Sequence, residues 1–146
     1  MEHIIKTAGV LLFQDNKVLM VRHGAMAGHL NDTYGIPAGR IEPGESSIDA
    51  AVRELFEETN LKTEARFLVK VPEEYTAAIE RKDGSIKNYS VDSFLCMSWD
   101  GELKANEQTI PLWVDIDEVD ILKLLPNVKK IIFDALKLKQ NGVTTE

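Results

Sequence analysis

Residues 39–61, GRIEPGESSIDAAVRELFEETNL, constrain the fold of this chain more than any other stretch. The second half predicts a helix, because Ser46 is a natural N-cap and Asp49 follows it at the spacing of a capping pair. Apolar residues then recur at the spacing of one buried helix face, at Ile48, Ala51, Val52 and Leu55. We therefore expect a capped helix that packs one face on a core.

The same helix carries a concentration of acidic side chains. Glu54, Glu57 and Glu58 stand at i, i+3 and i+4 and share a face, with Arg53 one turn before Glu57. Like charges at this spacing cost roughly 0.2–0.5 kcal/mol per pair, and acids in a last turn cost roughly 0.3–1 kcal/mol each. A bound Mg²⁺ or Mn²⁺ removes both penalties, since these ions prefer carboxylate oxygens. For the helix alone, a solvated acidic face is the alternative interpretation.

A glycine-rich loop directly precedes this helix. Residues 34–45, YGIPAGRIEPGE, contain three glycines and two prolines. Such a loop adopts conformations closed to other residues and lets a ligand approach the backbone. Loop, capped helix and carboxylate cluster together favour a ligand site over an ordinary strand-to-helix connection.

The segment resembles the signature of the Nudix hydrolases, which reads G, five residues, E, seven residues, then R-E-U-x-E-E-x-G-U, with U aliphatic. The matching residues are Gly39, Glu45, Arg53, Glu54, Leu55, Glu57, Glu58 and Leu61. Asn60 departs from the pattern, because the family has glycine there. Asn is the usual second choice after Gly for the left-handed residue that follows a helix, so we expect Asn60 in that conformation.

The resemblance implies roles for these residues. The implied ligands of Mg²⁺ or Mn²⁺ are the carboxylates of Glu54, Glu57 and Glu58 and the main-chain carbonyl of Gly39. Arg53 would orient a glutamate, and Glu45 would pair with Arg53 or brace the loop on the helix. One carboxylate must accept the proton of the attacking water, and the sequence leaves Glu54 and Glu102 as candidates.

Glu102 enters through a second resemblance. Residues 99–102, W-x-G-E in pattern, are similar to a loop where mutator-type nucleoside triphosphatases of the family place another carboxylate near the metals. Glu102 matches that position and Glu107 is the alternative. A solvated loop acid is the competing interpretation.

The composition of the 146 residues is that of a soluble globular protein, which we expect to form one domain over residues 1–146. The 17 basic and 24 acidic residues give a net charge of −7, which argues against a protein that grips nucleic acid or an anionic membrane. A small phosphorylated substrate is compatible with this charge, because metal ions can neutralise its phosphates. A homodimer is left open.

The cysteine content and the N-terminal hydropathy suggest a compartment. Cys96 is the single cysteine, and its apolar neighbours predict a buried structural thiol rather than a nucleophile. The apolar run 8–13 is too short to span a membrane and has no cleavable signal pattern around it. We expect a reducing cytoplasm.

Hydrophobic alternation and turn residues predict the remaining elements. The predicted strands are 6–13 and 18–22 as a hairpin, 62–79 with a break or bulge near Pro72, 89–99, and 110–116. The predicted further helices are 117–124 and 127–139, and residues 140–146 are expected to fray. These elements predict an α/β/α sandwich around a mixed β-sheet, the fold that the Nudix resemblance also implies.

Two regions are candidates for substrate contact. Residues 24–34 read as a mobile loop, and Arg22, His23, His29 and Tyr34 could reach a substrate there, although a surface or packing role is the favoured interpretation of each. The hairpin formed by the strands before and after residues 81–85 would be a wall of the substrate cleft in many Nudix proteins.

The resemblance implies metal-dependent hydrolysis of a diphosphate linkage in a nucleoside diphosphate joined to another group. Nucleoside triphosphates are the favoured substrates, and ADP-ribose-like nucleotide sugars and dinucleoside polyphosphates are the alternatives. A non-catalytic nucleotide sensor and an isoprenyl diphosphate isomerase are the competing classes. Neither Pro72 nor Tyr75 has the spacing of a subfamily marker.

Overall fold

The computed structural model describes residues 3–24 and 32–142. Strands β1 to β8 cover Ile4–Leu11, Phe13–Gln14, Lys17–His23, Tyr34–Gly35, Ala38–Arg40, Leu68–Glu80, Ile86–Cys96 and Thr109–Asp115. Helices α1 and α2 cover Ser47–Thr59 and Val128–Gln140, and 3₁₀ turns cover Ala65–Phe67 and Ile116–Ile121. The predictions for His29 and for residues 143–146 lie outside the described residues.

The strands form two sheets. One has the order β5-β1-β7-β6, in which β1 runs parallel to β7 and antiparallel to β5. In the other, β3 pairs antiparallel with β2, β4 and β8. The predicted mixed β-sheet is therefore confirmed.

Alternate residues of the central strands face opposite helices. Val10 packs in one cluster with Leu55 of α1, whereas the next residue, Leu11, packs in another with Ile131 and Ile132 of α2. Full burial of such a side chain stabilises the fold by roughly 1.5–3 kcal/mol. The strands thus form the middle layer between α1 and α2, which confirms the predicted α/β/α sandwich.

The predicted pairing of residues 6–13 with 18–22 is correct only at its end. Phe13 and Gln14 pair with β3, whereas β1 lies between β5 and β7. Hydrophobic alternation identifies a strand that is buried, but it does not identify the strand's partner.

Two other predicted elements differ from the structure. The strand predicted from residue 62 begins only at Leu68, after a 3₁₀ turn, although its register shift does fall between Lys70 and Glu74, around Pro72. The helix predicted over 117–124 is a 3₁₀ turn, Ile116–Ile121, in which Val119 alone is buried. A single buried side chain provides no apolar stripe for an α-helix to pack.

Within the described residues, the structure has no helix that is both long enough and apolar enough to span a membrane. The predicted burial of Cys96 is observed, and burial raises the pKa of its thiol.

Candidate active site

Helix α1 begins and ends as its sequence predicts. The Ser46 hydroxyl accepts a hydrogen bond from the Asp49 amide at 3.1 Å. At the other end, Asn60 adopts the left-handed conformation with φ of 72°, and its amide donates to the Phe56 carbonyl. Asn60, which stands where the family has glycine, therefore adopts the left-handed conformation that ends the helix.

Arg53 joins the loop before α1 to the acids on the helix. Its Nε and Nη2 donate to the two carboxylate oxygens of Glu45, both at 2.8 Å, and Nη2 also donates to the Arg40 carbonyl at 2.8 Å. Its Nη1 donates to Glu54 at 2.7 Å and to Glu57 at 3.2 Å. The hydrogen bonds from Arg53 lower the pKa of Glu45 to about 2, and those bonds raise the pKa of Arg53 in turn.

Glu58 and Glu54 are carboxylates held in unfavourable surroundings. Glu58 accepts a hydrogen bond from the Ala38 amide at 2.6 Å, yet burial, and then the charge of Glu54, raise its pKa well above the ordinary value. Burial also raises the pKa of Glu54, and the hydrogen bond from Arg53 only partly opposes this shift. The nearby hydrogen-bond donors therefore do not fully offset the cost of burying these two carboxylates.

The Glu54 carboxylate lies directly against the backbone of β5. A Cβ atom placed on Gly39 would overlap the Cδ, Oε1 and Oε2 atoms of Glu54. Glycine is therefore required here by the close approach of a carboxylate rather than by a backbone conformation. The Glu54 carboxylate thus lies against the Gly39 main chain, and carboxylate and main-chain carbonyl oxygens are the donors that a hard dication prefers.

The three helix acids do not form a complete cage around one point. Over residues 3–24 and 32–142, no three His, Cys, Asp or Glu side chains are already placed to hold a metal ion. Glu54 and Glu57 turn toward Arg53, while Glu58 turns toward the Ala38 amide. The arrangement nevertheless fits Mg²⁺, which keeps several of its waters and is usually bound through one or two carboxylates.

A cavity of about 320 Å³ opens beside these acids. Glu54, Glu58 and Gly39 line one part of it, and the strands β6 and β7 contribute a wall, as expected for this hairpin. Residues from the hairpin that line the cavity are Ile79, Arg81, Tyr89 and Val91. The site thus combines an acidic end with a partly apolar chamber.

The predicted substrate contacts separate into two groups. His23 lines the cavity and is 6% exposed. Burial, and then the charges of Arg81 and Lys82, lower its pKa to about 4. Arg22 and Tyr34 are not among the described residues that line the cavity. Arg22 pairs with Asp32 at 2.8 Å, and Tyr34 packs against the core cluster that includes α2.

The loop between β7 and β8 closes the C-terminal end of α1. The Asn60 side chain donates to the Glu102 carbonyl at 3.0 Å, so the Glu102 backbone lies at the helix end, and its side chain is exposed. Asn106 Nδ2 donates to the Glu57 carbonyl at 2.9 Å, and Thr109 Oγ1 donates to the Glu58 carbonyl at 3.2 Å. Glu107 is also exposed.

Several site residues escape sequence reasoning. Thr109 and Gln108 line the cavity, and Asn106 Oδ1 accepts from the amides of both at 2.8 and 2.7 Å. Arg81 and Tyr89 enter the cavity from the hairpin. The sequence feature that could have identified them is their position in the hairpin around the Asp-Gly turn, since that hairpin was predicted to be a wall of the cleft.

A family model agrees with the fold and the acidic helix: the NUDIX domain model matches residues 3–136. The chain belongs to the NUDIX family, as the resemblance of residues 39–61 implied. It is 36% identical over 74 residues to nucleoside diphosphate-linked moiety X motif 6 of Mus musculus, a match covering 50% of this chain and 23% of that protein. It is 31% identical over 130 residues to a nucleoside triphosphate pyrophosphatase/Nudix hydrolase fusion protein of Bifidobacterium longum (84% and 26%). The matches thus span about a quarter of these curated relatives.

Solved structures agree in fold. A MutT NUDIX hydrolase from Burkholderia pseudomallei superposes with a TM-score of 0.76 at 16% identity, over 91% of this chain and 98% of that one. A NUDIX hydrolase from Nitrosomonas europaea gives 0.70 at 26% identity, over 94% and 91%. A C. elegans Ap4A hydrolase gives 0.67 at 17% identity, over 94% and 99%.

Proposed function

We propose that this chain is a metal-dependent hydrolase that cleaves a diphosphate linkage in a nucleoside diphosphate joined to another group. The observation that carries the proposal is the pair of enclosed carboxylates, Glu54 and Glu58, beside the Gly39 backbone at one end of a nucleotide-sized cavity. Family membership supports the same reaction class.

The donor set proposed for Mg²⁺ or Mn²⁺ consists of Glu54, Glu57, Glu58 and the Gly39 carbonyl. When bound, such ions shield phosphate oxygens and lower the pKa of a coordinated water. Glu57 is half exposed, with a side chain that is 52% accessible, and it can swing from Arg53 toward the other two acids. The raised pKa values of Glu54 and Glu58 support a cation nearby, since positive charge offsets the cost of their burial.

The chain's own groups supply orientation and a proton acceptor. Arg53 holds Glu54 in place and is itself held by both oxygens of Glu45, so we assign positioning roles to Arg53 and Glu45. We assign the acceptance of the water's proton to Glu54, because it lies in the cavity, whereas the Glu102 side chain is exposed. General base assistance is typically worth about 10²–10⁴-fold in rate.

Nucleoside triphosphates are the substrates that we favour. The W-x-G-E loop at residues 99–102 supports this choice. ADP-ribose-like nucleotide sugars and dinucleoside polyphosphates are the alternatives. The intact acids argue against a non-catalytic sensor, and product analysis on isoprenyl diphosphate tests the isomerase class.

We also propose that residues 1–146 act as one domain on a small nucleotide rather than on nucleic acid or a membrane, in line with the net charge of −7. The single, buried thiol of Cys96 supports a reducing compartment, and we propose the cytoplasm.

The test is hydrolysis of a panel containing the four nucleoside triphosphates, ADP-ribose and a dinucleoside polyphosphate, at millimolar Mg²⁺. Glu57→Gln and Glu58→Gln should each lower kcat at least about 100-fold while leaving the circular dichroism spectrum unchanged. Glu118→Gln, which removes an exposed carboxylate on the 3₁₀ turn, is the matched control and should retain full activity. Near-wild-type rates in both helix variants would contradict the proposal.

A further inference from the structure

An arginine–tyrosine pair lies in the cavity away from the acids. Arg81 follows β6 and Tyr89 belongs to β7, and both line the cavity. Arg81 Nη1 donates to the Tyr89 hydroxyl at 2.9 Å. Tyr89 is 7% exposed and belongs to the sheet, so the hydrogen bond to its hydroxyl restrains the Arg81 guanidinium on this side of the cavity.

Strand order and register give the separation between this pair and the acidic end. Gly39 pairs with Ala8 of β1, while Tyr89 pairs with Ile5 of the same strand. Two strand spacings separate β5 from β7, about 10 Å, and three residues along β1 add about 10 Å in the perpendicular direction. The backbones at Gly39 and Tyr89 are therefore about 14 Å apart.

This separation decides which part of a nucleotide Arg81 meets. If the diphosphate binds at Glu54 and Glu58, as proposed above, a nucleoside in the same cavity would extend away from β5. Ile79, Val91, Leu125 and Pro126 give the remainder of the cavity apolar walls, which suit a flat ring. Under the proposed function, Arg81 would therefore lie beside the nucleobase of the substrate rather than beside the reacting phosphates.

A guanidinium is selective for particular planar edges. Its N–H groups form a rigid fork that pairs with two acceptors in one plane, as in the pairing of arginine with O6 and N7 of guanine. Cytosine presents a comparable adjacent pair in N3 and O2. Adenine and uracil place a donor beside each acceptor on their polar edges, which leaves one arm of the fork facing a donor.

His23 supplies a second polar surface in the same chamber. Because its pKa lies at about 4, the ring is neutral near pH 7 and offers one donor and one acceptor. A neutral ring complements a base edge without adding charge beside the guanidinium.

We propose that Arg81, oriented by Tyr89, is a specificity-determining residue that selects a nucleobase with two adjacent in-plane acceptors, guanine or cytosine, at the end of the cavity opposite the acids. The inference rests on the proposed function, since the location of the diphosphate at Glu54 and Glu58 defines which end receives the base.

The experiment measures binding without hydrolysis, by titration calorimetry with GMP, CMP, AMP, UMP and ribose 5-phosphate at millimolar Mg²⁺. Wild-type protein should bind GMP, CMP or both about tenfold more tightly than AMP and UMP. Arg81→Gln and Arg81→Lys should abolish that preference, the second because it retains charge but loses the fork. Tyr89→Phe should reduce it severalfold. Lys82→Gln, which removes an exposed neighbouring charge, should retain it.

Equal behaviour of Arg81→Gln and Lys82→Gln would overturn the proposal, as would equal wild-type affinity for all four bases. An equal loss of affinity for ribose 5-phosphate and GMP in Arg81→Gln would mean that Arg81 contacts phosphate, and would overturn it too. Thermal unfolding of each variant checks that it is folded. A base preference in a protein that hydrolyses nothing would reject the proposed function alone, whereas hydrolysis without base preference would reject this inference alone.

Discussion

At the scale of single residues, the guanidinium of Arg53 is shared among several acidic side chains of the site. Arg53 contacts Glu45, Glu54 and Glu57, and the acid that it does not contact, Glu58, accepts a main-chain N–H instead. Each carboxylate is therefore held by a hydrogen bond, and the enclosed pair still has raised pKa values. The geometry fixes the oxygens while leaving their charge incompletely balanced.

Gly39→Ala separates function from stability. The added methyl would overlap the end of the Glu54 side chain, which can swing away at little cost to the fold. We expect kcat to fall at least about 100-fold, because displaced catalytic groups lose their geometry, while the melting temperature changes little.

Gly84→Ala is the control with the opposite pattern, since its φ of +85° strains alanine and open space surrounds it. That variant should lose about 1 kcal/mol of stability and keep its activity. Unchanged kcat in Gly39→Ala would refute the requirement for glycine.

His23 makes stability depend on pH. Its folded pKa of about 4 lies below the ordinary value of 6.5, so the unfolded chain binds a proton first as pH falls. Its contribution is fully present above pH 6.5 and is lost as the pH falls toward 4. Between pH 7 and pH 5 we expect the free energy of unfolding of the wild type to fall relative to that of His23→Gln by about 2 kcal/mol. Urea titrations measure it, with exposed His3→Gln as the control. Parallel curves for wild type and His23→Gln would exclude the effect.

At the scale of elements, the C-terminal end of α1, which carries the acids, is completed by a segment that is distant in sequence. The last carbonyls of a helix lack partners within it, and here Asn106, from the loop before β8, and Thr109, at the start of β8, donate to those of Glu57 and Glu58. These donors oppose the negative end of the helix dipole where the acids already concentrate negative charge. The same loop brings Gln108 into the cavity, so one connection serves both the helix end and the chamber.

Asn106→Ala tests this connection. The variant loses the hydrogen bond to the Glu57 carbonyl and leaves the amides of Gln108 and Thr109 without their acceptor. We expect the free energy of unfolding to fall by about 1–2 kcal/mol and KM to rise, because the loop lines the cavity. Asn141→Ala, at the exposed end of α2, should change stability by less than about 0.5 kcal/mol. A variant as stable as the Asn141 control would show that the loop is held by other contacts.

At the scale of the whole molecule, the layered fold places the acidic helix and the cavity at one edge of a sheet. Helix α1 packs on one face and α2 on the other, and the cavity runs from the edge strand β5 past the start of α2. Residues as distant as Thr7 and Ile131 line a single chamber as a result. Binding at the acidic end should therefore stabilise the entire fold.

Mg²⁺ should raise the melting temperature. A ligand that binds only the folded state at 100 times its Kd adds about 2.7 kcal/mol, or about 5–10 °C for a chain of this length. Differential scanning calorimetry with Mg²⁺, and with KCl at matched ionic strength, measures the shift. The double variant Glu54→Gln, Glu58→Gln should show no shift. Equal shifts in wild type and the double variant would place the ion elsewhere.

The sequence by itself determined the features that depend on local spacing. The Ser46 cap, the left-handed Asn60, the hairpin of β6 and β7 and the shared face of the helix acids all follow from residues within a few positions of each other. The signature of residues 39–61 likewise identified the family and, through it, the layered fold.

Only the tertiary structure decided which distant groups meet. The pairing of β1 with β7, the approach of Glu54 to Gly39 and the reach of Arg81 into the cavity join residues from separate elements. The ion pair of Arg22 with Asp32 and the packing of Tyr34 on the core are likewise contacts that the sequence did not predict. Such contacts depend on packing between layers, and no local period in the chain encodes the partner across a sheet.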